Sequence, residues 1–407
     1  MYRHLYSIIL TLSIPVLMWH VARKYGREKR SPDIAARLGL QSPEVAPGAV
    51  WIHACSLGEA KVALALVAAL EAQDPALQFV LTSTTPSGLA ILQSSAHPVV
   101  VFPWDLPWIW GRWFKRLRPR AVVVIETELW PNMIHAANRS GVPVVLANGR
   151  LSARSAGAYR KISLVSRPMW AGLTRALMQF SDDALRAHAL GTPMQAISEV
   201  GSIKLDQPPP VPDAALLQRL QVWKGACPVV CLMSGHPGEE ELMFPLVVEG
   251  YRVLLVPRHP VRGSEIAVEA AKEAHSCAQV SGGVFDAQTE VLIGDTFGDM
   301  GTYLAVADVV IIGGSFADKG GQNPVEPAAL AKALVAGPSM HNFARITEAL
   351  IAHGGLIQVT PLTLSQGIAE ALANCESMGH CAQDWVLANS GSTARQATAI
   401  RSILNPF

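Results

Sequence analysis

The sequence predicts an α/β protein made of two similar domains. Short apolar runs that suit buried parallel strands recur along its 407 residues, and most are followed by a polar or glycine-bearing loop and then a helical pattern. A proline-rich segment at 201–213 (GSIKLDQPPPVPD) interrupts this alternation, which then restarts. The length also exceeds that of one typical core. We therefore expect two α/β domains joined at this segment.

The composition indicates a folded protein without a nucleic-acid partner. Half of the residues are apolar and only 16% are charged, which is enough for a large core. The 33 lysines and arginines against 32 acidic residues give a net charge of +1, and nothing in that balance favours nucleic acid. The six cysteines show neither zinc-site spacing nor a Cys-x-x-Cys pair, which suits buried thiols in a reducing compartment.

The N-terminus predicts a membrane anchor over residues 1–30. Residues 5–22 contain no Asp, Glu, Lys or Arg and are about long enough to span a bilayer. The basic residues that follow at once place the rest of the chain on the cytoplasmic side of the inner membrane. They are Arg23, Lys24, Arg27, Lys29 and Arg30. Pro15 and His20 weaken a full span, so an interfacial helix is the alternative. In either case we expect the anchor to be removable without unfolding the α/β body.

The predicted strands fall into two sets. The first set is Val50–Cys55, Phe79–Thr82, Ala121–Ile125, Val142–Ala147, Leu177–Phe180 and Ala196–Val200. The second set is Val229–Met233, Val253–Val256, Val291–Asp295, Val309–Gly313 and Leu334–Ala336. Polar residues follow several strands of both sets, and ligands of open parallel sheets bind at the carboxyl ends of the strands. We therefore expect one central cleft that the two domains face.

The stretch from Val291 to Leu334 has the clearest nucleotide-binding pattern. Its glycine-rich loop Gly314–Gln322 opens onto a helix that Asn323 would cap, with Pro324 in the first turn. Unpaired N–H groups at such a place suit a phosphate, and Glu326 is placed to accept hydrogen bonds from ribose hydroxyls. Asn323-x-x-Glu326 is also a capping-box pattern, in which the glutamate binds no ligand.

The first domain offers a candidate general base. Glu59 lies near the start of the helix that follows Val50–Cys55, where the helix dipole favours the carboxylate. Ser56-x-x-Glu59 is again a capping-box pattern, and on local sequence alone that structural role is the stronger one. Arg258 could pair with a leaving phosphate, although a surface salt bridge is the alternative. No Asp-x-Asp pair follows a strand, so the sequence offers no obvious metal seat for a diphosphate donor.

Seven motifs together resemble those of the 3-deoxy-D-manno-octulosonic acid (Kdo) transferase family. They are HACSLGE (53–59), IETELWPN (125–132), NGRLSARS (148–155), GSIKLD (201–206), VPRHP (256–260), GDTFGDM (294–300) and GGQNPVE (320–326). They occur in the family's order over most of the chain. The resemblance implies transfer of Kdo from CMP-Kdo to the lipid A precursor during lipopolysaccharide biosynthesis in Gram-negative bacteria. It also implies the GT-B fold of two Rossmann-like domains, at residues 31–207 for the acceptor and 208–407 for the donor.

The same resemblance implies roles for individual residues. Glu59 falls where the family has its catalytic base, and Glu126 and Lys204 fall where it has groups that stabilise the transition state. The remaining matches fall on contacts to CMP. They are Pro257, Arg258, Phe297, Gly298, Asp299, Asn323, Pro324, Val325 and Glu326. The implied reaction inverts the anomeric centre and needs neither a metal nor a cofactor. The last helix of the chain could pack back on the first domain.

The chain departs from the family pattern at three positions. Gly149 stands where alanine is common, Gln322 where histidine is common and Asp299 where glutamate is common. None of the three is an implied catalytic group. Two other functions stay open on the sequence: another GT-B nucleotide-sugar enzyme, such as a UDP-sugar transferase or epimerase, and a membrane-tethered nucleotide-sugar binder without turnover.

Overall fold

The computed structural model describes residues 2–27, 33–41, 45 and 47–404, without the side chains of 24–27. Contacts divide the chain into two compact units, Met1–Asp206 with Ser390–Phe407, and Gln207–Asn389. Each unit contains one seven-stranded parallel sheet with helices, which confirms the predicted pair of parallel-sheet α/β domains. The predicted boundary at residue 31 lies outside the described residues.

The sheet of the first unit has the strand order β3-β2-β1-β4-β5-β6-β7. Its strands are β1 Val50–His53, β2 Phe79–Ser83, β3 Val99–Val101, β4 Ala121–Ile125, β5 Val144–Gly149, β6 Arg175–Met178 and β7 Ile197–Glu199. Val122 and Val124 of β4 enter one apolar cluster, whereas Ala121, Val123 and Ile125 enter another on the opposite face. Burial on both faces explains why these strands are continuous apolar runs rather than alternating ones.

Ten helices of the first unit precede its last one. They are α1 Tyr2–Leu12, α2 Ile14–Arg27, α3 Ile34–Arg37, α4 Leu57–Gln73, α5 Pro86–Leu92, α6 Pro107–Leu117, α7 Pro131–Arg139, α8 Ala153–Lys161, α9 Ser163–Ala171 and α10 Ser181–Leu190. The cluster beneath α6 and α7 is rich in aromatic rings, with Trp51 in contact with Trp110, Trp113 and Phe102.

The second unit repeats the architecture with the order β10-β11-β9-β8-β12-β13-β14. Its strands are β8 Val229–Gly235, β9 Arg252–Pro257, β10 Cys277–Gln279, β11 Val291–Ile293, β12 Val309–Ile312, β13 Ala333–Ala336 and β14 Leu356–Gln358. Its helices are α11 Ala214–Lys224, α12 Pro245–Val248, α13 Gly263–Lys272, α14 Met300–Val306, α15 Val325–Ala329, α16 Ala344–Ala352, α17 Leu364–Ala373 and α18 Cys375–Ala388.

The last helix, α19 Ser392–Leu404, belongs to the first unit. Ala397, Ile400 and Leu404 are buried in the cluster that also contains Leu66 and Val67 of α4. The second unit therefore ends at Asn389 and is shorter than the predicted range 208–407, because the apolar face of α19 is buried against α4.

The sequence analysis did not predict three of the described strands, β3, β10 and β14. Each has only three residues and lies at an edge of its sheet. An edge strand has a neighbour on one side only, and Val99 and all of Cys277–Gln279 are only partly buried. For β10 and β14 the apolar run is short, whereas the apolar residues of β3 form a run that the sequence analysis overlooked.

The N-terminal segment is a broken pair of helices rather than one anchor helix. The chain bends by 50° between Tyr2–Leu12 and Ile14–Arg23. Pro15 lies in the first turn of α2 and has no backbone N–H for a bond to the preceding turn, which accounts for the break. Among the described residues no single helix is long and apolar enough to cross a bilayer, although the bent pair passes a test of length and composition. Of the predicted basic flank, Lys29 and Arg30 and the side chains of Lys24 and Arg27 lie outside the described part.

Polar bonds attach α1 to the body of the first unit. The Arg3 guanidinium donates to Asn132 Oδ1 at 2.8 Å, and the Ser7 hydroxyl lies 3.1 Å from the same oxygen. The Tyr6 hydroxyl bonds to the buried carboxylate of Asp105, which also accepts the N–H groups of Asn132 and Met133 at the start of α7. Burial raises the pKa of Asp105 to about 6. The helix α1 is thus a structural part of the first unit, contrary to the expectation of a separable anchor.

A chain that lacks residues 1–27 should therefore unfold at a lower temperature than the full chain. Three polar partners of Asp105 and Asn132 disappear, each worth about 0.5–1.5 kcal/mol of unfolding free energy. Melting temperatures in detergent measure this loss. The control is Ile8→Ser with Leu12→Ser, since both side chains are exposed on α1 and the substitutions keep every polar bond. Equal melting temperatures for the truncated and full chains would mean that α1 is only an appended anchor.

Candidate active site

The local capping geometry at the start of α4 fixes the position of Glu59. Ser56 caps the helix, and its hydroxyl oxygen accepts the Glu59 N–H at 3.2 Å. In return, the Glu59 carboxylate accepts the Ser56 hydroxyl at 2.9 Å and the Cys55 N–H at 2.8 Å. The Ser56 half of the predicted capping box is therefore present, whereas the Glu59 carboxylate accepts the N–H of Cys55 rather than that of Ser56. These bonds also hold the carboxylate in one orientation, as a catalytic group requires.

The environment of Glu59 raises the pKa of its carboxyl group. Burial raises its pKa from 4.5 to about 7, and the negative charges of Glu126 and Glu128 add to the rise, against the hydrogen bonds from Cys55 and Ser56. A carboxylate with a pKa near the working pH combines a useful ionised fraction with enough basicity to accept a proton.

The structure brings Glu126 and Lys204 into a direct ion pair. Glu126 follows β4, and Lys204 lies in a 3-10 turn, Ile203–Asp206, that follows β7. The Lys204 Nζ donates to Glu126 Oε1 at 2.8 Å, and their side chains are 21% and 17% exposed. Because the Glu126 charge also acts on Glu59, all three sequence-predicted catalytic residues lie in one region at the carboxyl edge of the first sheet.

Two residues of this edge have a left-handed backbone that is uncommon outside glycine. They are Glu126, with φ 59°, and Asn148, with φ 51°. They lie at the ends of neighbouring strands, and the Asn148 side chain accepts the Ile203 N–H at 3.0 Å. Such outliers persist only where the surroundings enforce them, and they concentrate at functional sites. Through this hydrogen bond to Ile203, Asn148 holds the turn that carries Lys204 in place.

Residues in and near the C-terminal helix also hold Asn148 and the Lys204 turn in place, and the sequence analysis missed these contacts. Gln396 of α19 is fully buried, and its side-chain oxygen accepts the Asn148 N–H at 2.7 Å. Asp206 ends the turn of Lys204 and accepts the Gly391 N–H at 2.6 Å as well as the backbone and hydroxyl of Thr393. Asn148 and Gln396 are 248 positions apart, and Asp206 and Gly391 are 185 positions apart. No local sequence pattern could therefore have revealed these bonds.

In the second unit, the predicted CMP contacts lie at the carboxyl edge of the sheet. Pro257 ends β9, and the next residue, Arg258, is exposed and donates its N–H to the Gly235 carbonyl at 2.8 Å. Phe297, after the adjacent strand β11, is 89% exposed, and Gly298 has φ 90°. Asp299 accepts a hydrogen bond from the Thr296 hydroxyl at the start of α14. The structure therefore places these residues on neighbouring strand ends.

Several N–H groups of the glycine-rich loop already have partners within the protein. The buried carboxylate of Glu239 accepts the N–H groups of Gly314, Phe316 and Ala317 at 2.6–3.2 Å, besides that of His236. An internal carboxylate thus takes the place expected for a phosphate. Glu239 is 1% exposed and was missed because a glutamate after a glycine usually indicates a surface loop.

The residues at α15 also differ from the predicted capping box. Pro324 occupies the N-cap, and Asn323 Oδ1 accepts the Val325 N–H at 3.2 Å. The Glu326 carboxylate is partly buried and accepts a long bond of 3.3 Å from the Asn323 amide. This bond is not the reciprocal backbone bond of a capping box.

Two of the departures from the family pattern have visible surroundings. A Cβ at Gly149 would lie 2.6 Å from Met178 Sδ, so Met178 occupies the space of the commoner alanine. The Gln322 amide nitrogen lies 3.1 Å from His236 Nε2. Burial lowers the pKa of His236, and the nearby cations Arg258 and Lys319 lower it further, against the charge of Glu239. The positive charges gathered there suit an anionic ligand.

Known sequences decide the family. A family profile described as 3-deoxy-D-manno-octulosonic-acid transferase (kdotransferase) matches residues 32–207. The 3-deoxy-D-manno-octulosonic acid transferase of Bordetella pertussis is 32% identical over 99% of both chains. The chain belongs to the Kdo transferase family. The transferase of the same name from Haemophilus influenzae is 29% identical over 100% of this chain and 99% of its own. These matches confirm the predicted family and its enzyme class, the Kdo transferases.

Solved structures agree on the fold of this Kdo transferase family member. A glycosyltransferase from Rickettsia africae superposes with a TM-score of 0.59 at 12% identity, covering 88% of this chain and 99% of its own. MurG of Acinetobacter baumannii gives 0.57 at 14% identity, covering 88% and 100%. At such identities the likeness shows a shared fold alone, and it is the fold expected for the GT-B type.

Proposed function

We propose that the protein transfers Kdo from CMP-Kdo to the lipid A precursor of lipopolysaccharide, with inversion and without a metal ion. In this proposal the first unit binds the lipid acceptor, and the second holds the CMP donor at the strand ends that carry Arg258, Phe297–Asp299 and Glu326. We also propose that the bent helices α1 and α2 associate with the cytoplasmic face of the inner membrane, which the apolar composition of the pair supports. Family membership supports the sugar, and the following geometry supports the mechanism.

The single observation that carries the mechanism is the grouping of Glu59 with the Glu126–Lys204 pair. The Glu59 carboxylate takes the proton of the acceptor hydroxyl, and the acceptor oxygen forms a bond to the anomeric carbon of Kdo. The bond from that carbon to the phosphate oxygen breaks, and its electron pair leaves with CMP. Inversion follows because the acceptor oxygen attacks the face opposite the leaving group.

The cation of Lys204 stabilises the negative charge that develops as the bond to CMP breaks. Glu126 holds this ammonium group at 2.8 Å, so the cation is oriented before the reaction begins. Asn148 and Asp206 fix the turn that carries it. Preorganised charge of this kind stabilises a transition state without rearrangement during the reaction.

The decisive experiment is mass spectrometry of the lipid product made from CMP-Kdo and lipid A precursor. We expect the mass of the lipid to rise by whole Kdo residues, with release of CMP. Binding of CMP-Kdo without release of CMP would favour a non-catalytic binder. A soluble product formed from UDP-N-acetylglucosamine would favour a different nucleotide-sugar enzyme. The same assay with EDTA tests metal independence, and a loss of turnover that Mg²⁺ restores would reject it.

Glu326→Gln should weaken CMP binding more than it lowers the stability of the fold. A carboxylate that binds ribose hydroxyls loses charge-assisted hydrogen bonds worth about 1.5–3 kcal/mol of binding free energy. In the folded protein the glutamine oxygen can still accept the long bond from the Asn323 amide, so the fold should lose little stability. Calorimetry with CMP beside thermal unfolding measures the two effects. Undiminished CMP binding together with a lower melting temperature would assign Glu326 a structural role instead.

A further inference from the structure

An apolar groove of about 350 Å³ lies in the first unit between α1 and α9. Its walls include Leu5 and Ile9 of α1, Trp130 and Pro131 at the start of α7, and Val165 and Met169 of α9. The volume falls within the range of about 300–1,000 Å³ that is usual for ligand sites. A groove with so few polar groups in its walls suits an apolar ligand rather than a sugar or a nucleotide.

The polar bonds of α1 build this groove. Arg3, Tyr6 and Ser7 hold α1 on Asn132 and Asp105, so α1 forms a fixed wall over α7. On the opposite side, the Ser166 hydroxyl donates to the Tyr159 carbonyl at 2.7 Å and holds α9 against the end of α8. The groove is therefore a feature of the folded unit rather than a chance gap between two surface helices.

One end of the groove adjoins the catalytic edge. Its wall residues Leu129, Trp130 and Pro131 follow Glu128 directly in the chain. The hydroxyl of Tyr159, another wall residue, lies 3.5 Å from the Thr127 carbonyl oxygen. The charge of Glu128 acts on both Tyr159 and Glu59. The short loop that contains Thr127 and Glu128 therefore links the wall of the groove to the region of the proposed base.

The groove is open to solvent, and basic residues lie next to one of its walls in the chain. The wall residues Leu5, Ile9 and Ile162 are more than half exposed. Arg160 and Lys161 are exposed too, and they lie in the chain between the wall residues Tyr159 and Ile162. An apolar groove with exposed cations next to its wall residues in the chain is complementary to a lipid with a phosphorylated headgroup.

We propose that this groove binds one acyl chain of the acceptor lipid and thereby positions the lipid headgroup at Glu59. The inference rests on the proposed function, because the ligand assigned to the groove is a part of the lipid acceptor. The acyl chain fills the apolar walls, and the headgroup phosphate meets the cations Arg160 and Lys161. Chain length then becomes part of acceptor specificity.

A matched pair of substitutions on α9 tests the proposal. Val165→Trp fills the groove, whereas Leu164→Trp adds the same ring to an exposed position that does not line it. We expect Val165→Trp to raise KM for the long-chain acceptor about tenfold and to leave kcat/KM for a short-chain analogue unchanged. Leu164→Trp should change neither value. Equal effects of Val165→Trp on both acceptors, or no effect on either, would overturn the proposal.

A second pair on α1 guards against misfolding of the first variant. Ile9 lines the groove and Ile8 does not, although the two side chains are almost equally exposed at 57% and 56%. Ile9→Trp should reproduce the KM effect of Val165→Trp, and Ile8→Trp should not. Equal KM values for Ile9→Trp and Ile8→Trp would contradict an acyl chain in the groove.

A binding measurement separates this proposal from the proposed function. A lipid A precursor with a photoreactive acyl chain should cross-link to peptides of α1, α7 and α9 in the wild-type protein and much less in Val165→Trp. This readout needs no turnover, so a wild-type protein that cross-links but transfers no Kdo contradicts the proposed function alone. Equal cross-linking by a photoreactive phospholipid would assign the groove to bulk lipid. Self-association that Val165→Trp abolishes would assign it to a second copy. Either result overturns the proposal.

Discussion

Glu59→Gln should lower turnover by roughly two to four orders of magnitude, the usual contribution of a general base. Glutamine cannot accept a proton from the acceptor hydroxyl, but it keeps the length of the side chain. Its amide oxygen can accept the Cys55 N–H, and its NH₂ can donate to the Ser56 hydroxyl, so the local geometry of the helix start survives. Rapid-quench kinetics with saturating CMP-Kdo measure the chemical step.

The pH dependence of kcat/KM provides a second test of the role of Glu59. Because the pKa of Glu59 is about 7 and the base must be ionised, kcat/KM of the wild type should rise with pH through about 7. The residual activity of Glu59→Gln should lack this limb. The control is Glu71→Gln, at the exposed far end of the same helix, which should keep both rate and profile. If Glu59→Gln retained more than about a tenth of the wild-type turnover, Glu59 would have only a structural role at the start of the helix.

Although Glu59→Gln should lower turnover, it should raise the stability of the fold at the higher pH values. A carboxyl group whose pKa is raised in the fold contributes stability below its unfolded value of 4.5, and that contribution is lost as the pH rises through about 7. The ionised Glu59 is therefore the less stable form in the folded protein. The melting temperature of Glu59→Gln relative to wild type should increase between about pH 5 and pH 8.

Lys204→Met should lower kcat by about 10²–10³, the usual cost of removing one preorganised group that stabilises developing charge. It should also move the pH limb of Glu59 upwards, because the Glu126 charge near Glu59 is then no longer compensated by a cation. A purely structural ion pair would not produce this displacement of the pH profile. Steady-state kinetics from pH 6 to pH 9 measure both effects.

The second unit supplies a matched control for Lys204→Met. Lys224 pairs with Asp308 at 2.6 Å, with side chains 26% and 27% exposed, close to the values of the Lys204 pair. Lys224→Met should lower the melting temperature without a change in the pH profile. A normal kcat for Lys204→Met, with the same loss of stability as Lys224→Met, would show that the Lys204–Glu126 pair serves only the fold.

The sequence predicted those parts of the molecule that depend on local pattern. The central strands were visible because burial on both faces makes them apolar throughout, as in β4. Capping at Ser56 and Glu59 was visible because its residues are three positions apart. The edge strands β10 and β14 were not, since a three-residue strand with one neighbour needs no apolar run.

Contacts between distant residues could not be predicted in this way. Glu126 and Lys204 are 78 positions apart, and they entered the prediction together only through the family resemblance. Glu239 lies 75 positions before Gly314, so nothing local showed that its carboxylate would occupy the glycine-rich loop. The break between α1 and α2 could be anticipated from Pro15, whereas the attachment of α1 to Asn132 and Asp105 could not.

The return of α19 to the first unit has a consequence for synthesis in the cell. The ribosome completes the first sheet at β7, but the partner of the Asn148 N–H arrives 248 residues after Asn148. At about 5–20 residues per second, that delay is roughly 12–50 seconds. The second unit, Gln207–Asn389, emerges whole during this interval. The bonds from Asp206 to Gly391 and Thr393 form last. The turn that carries Lys204, the proposed transition-state cation, is therefore held in place only when translation is almost complete.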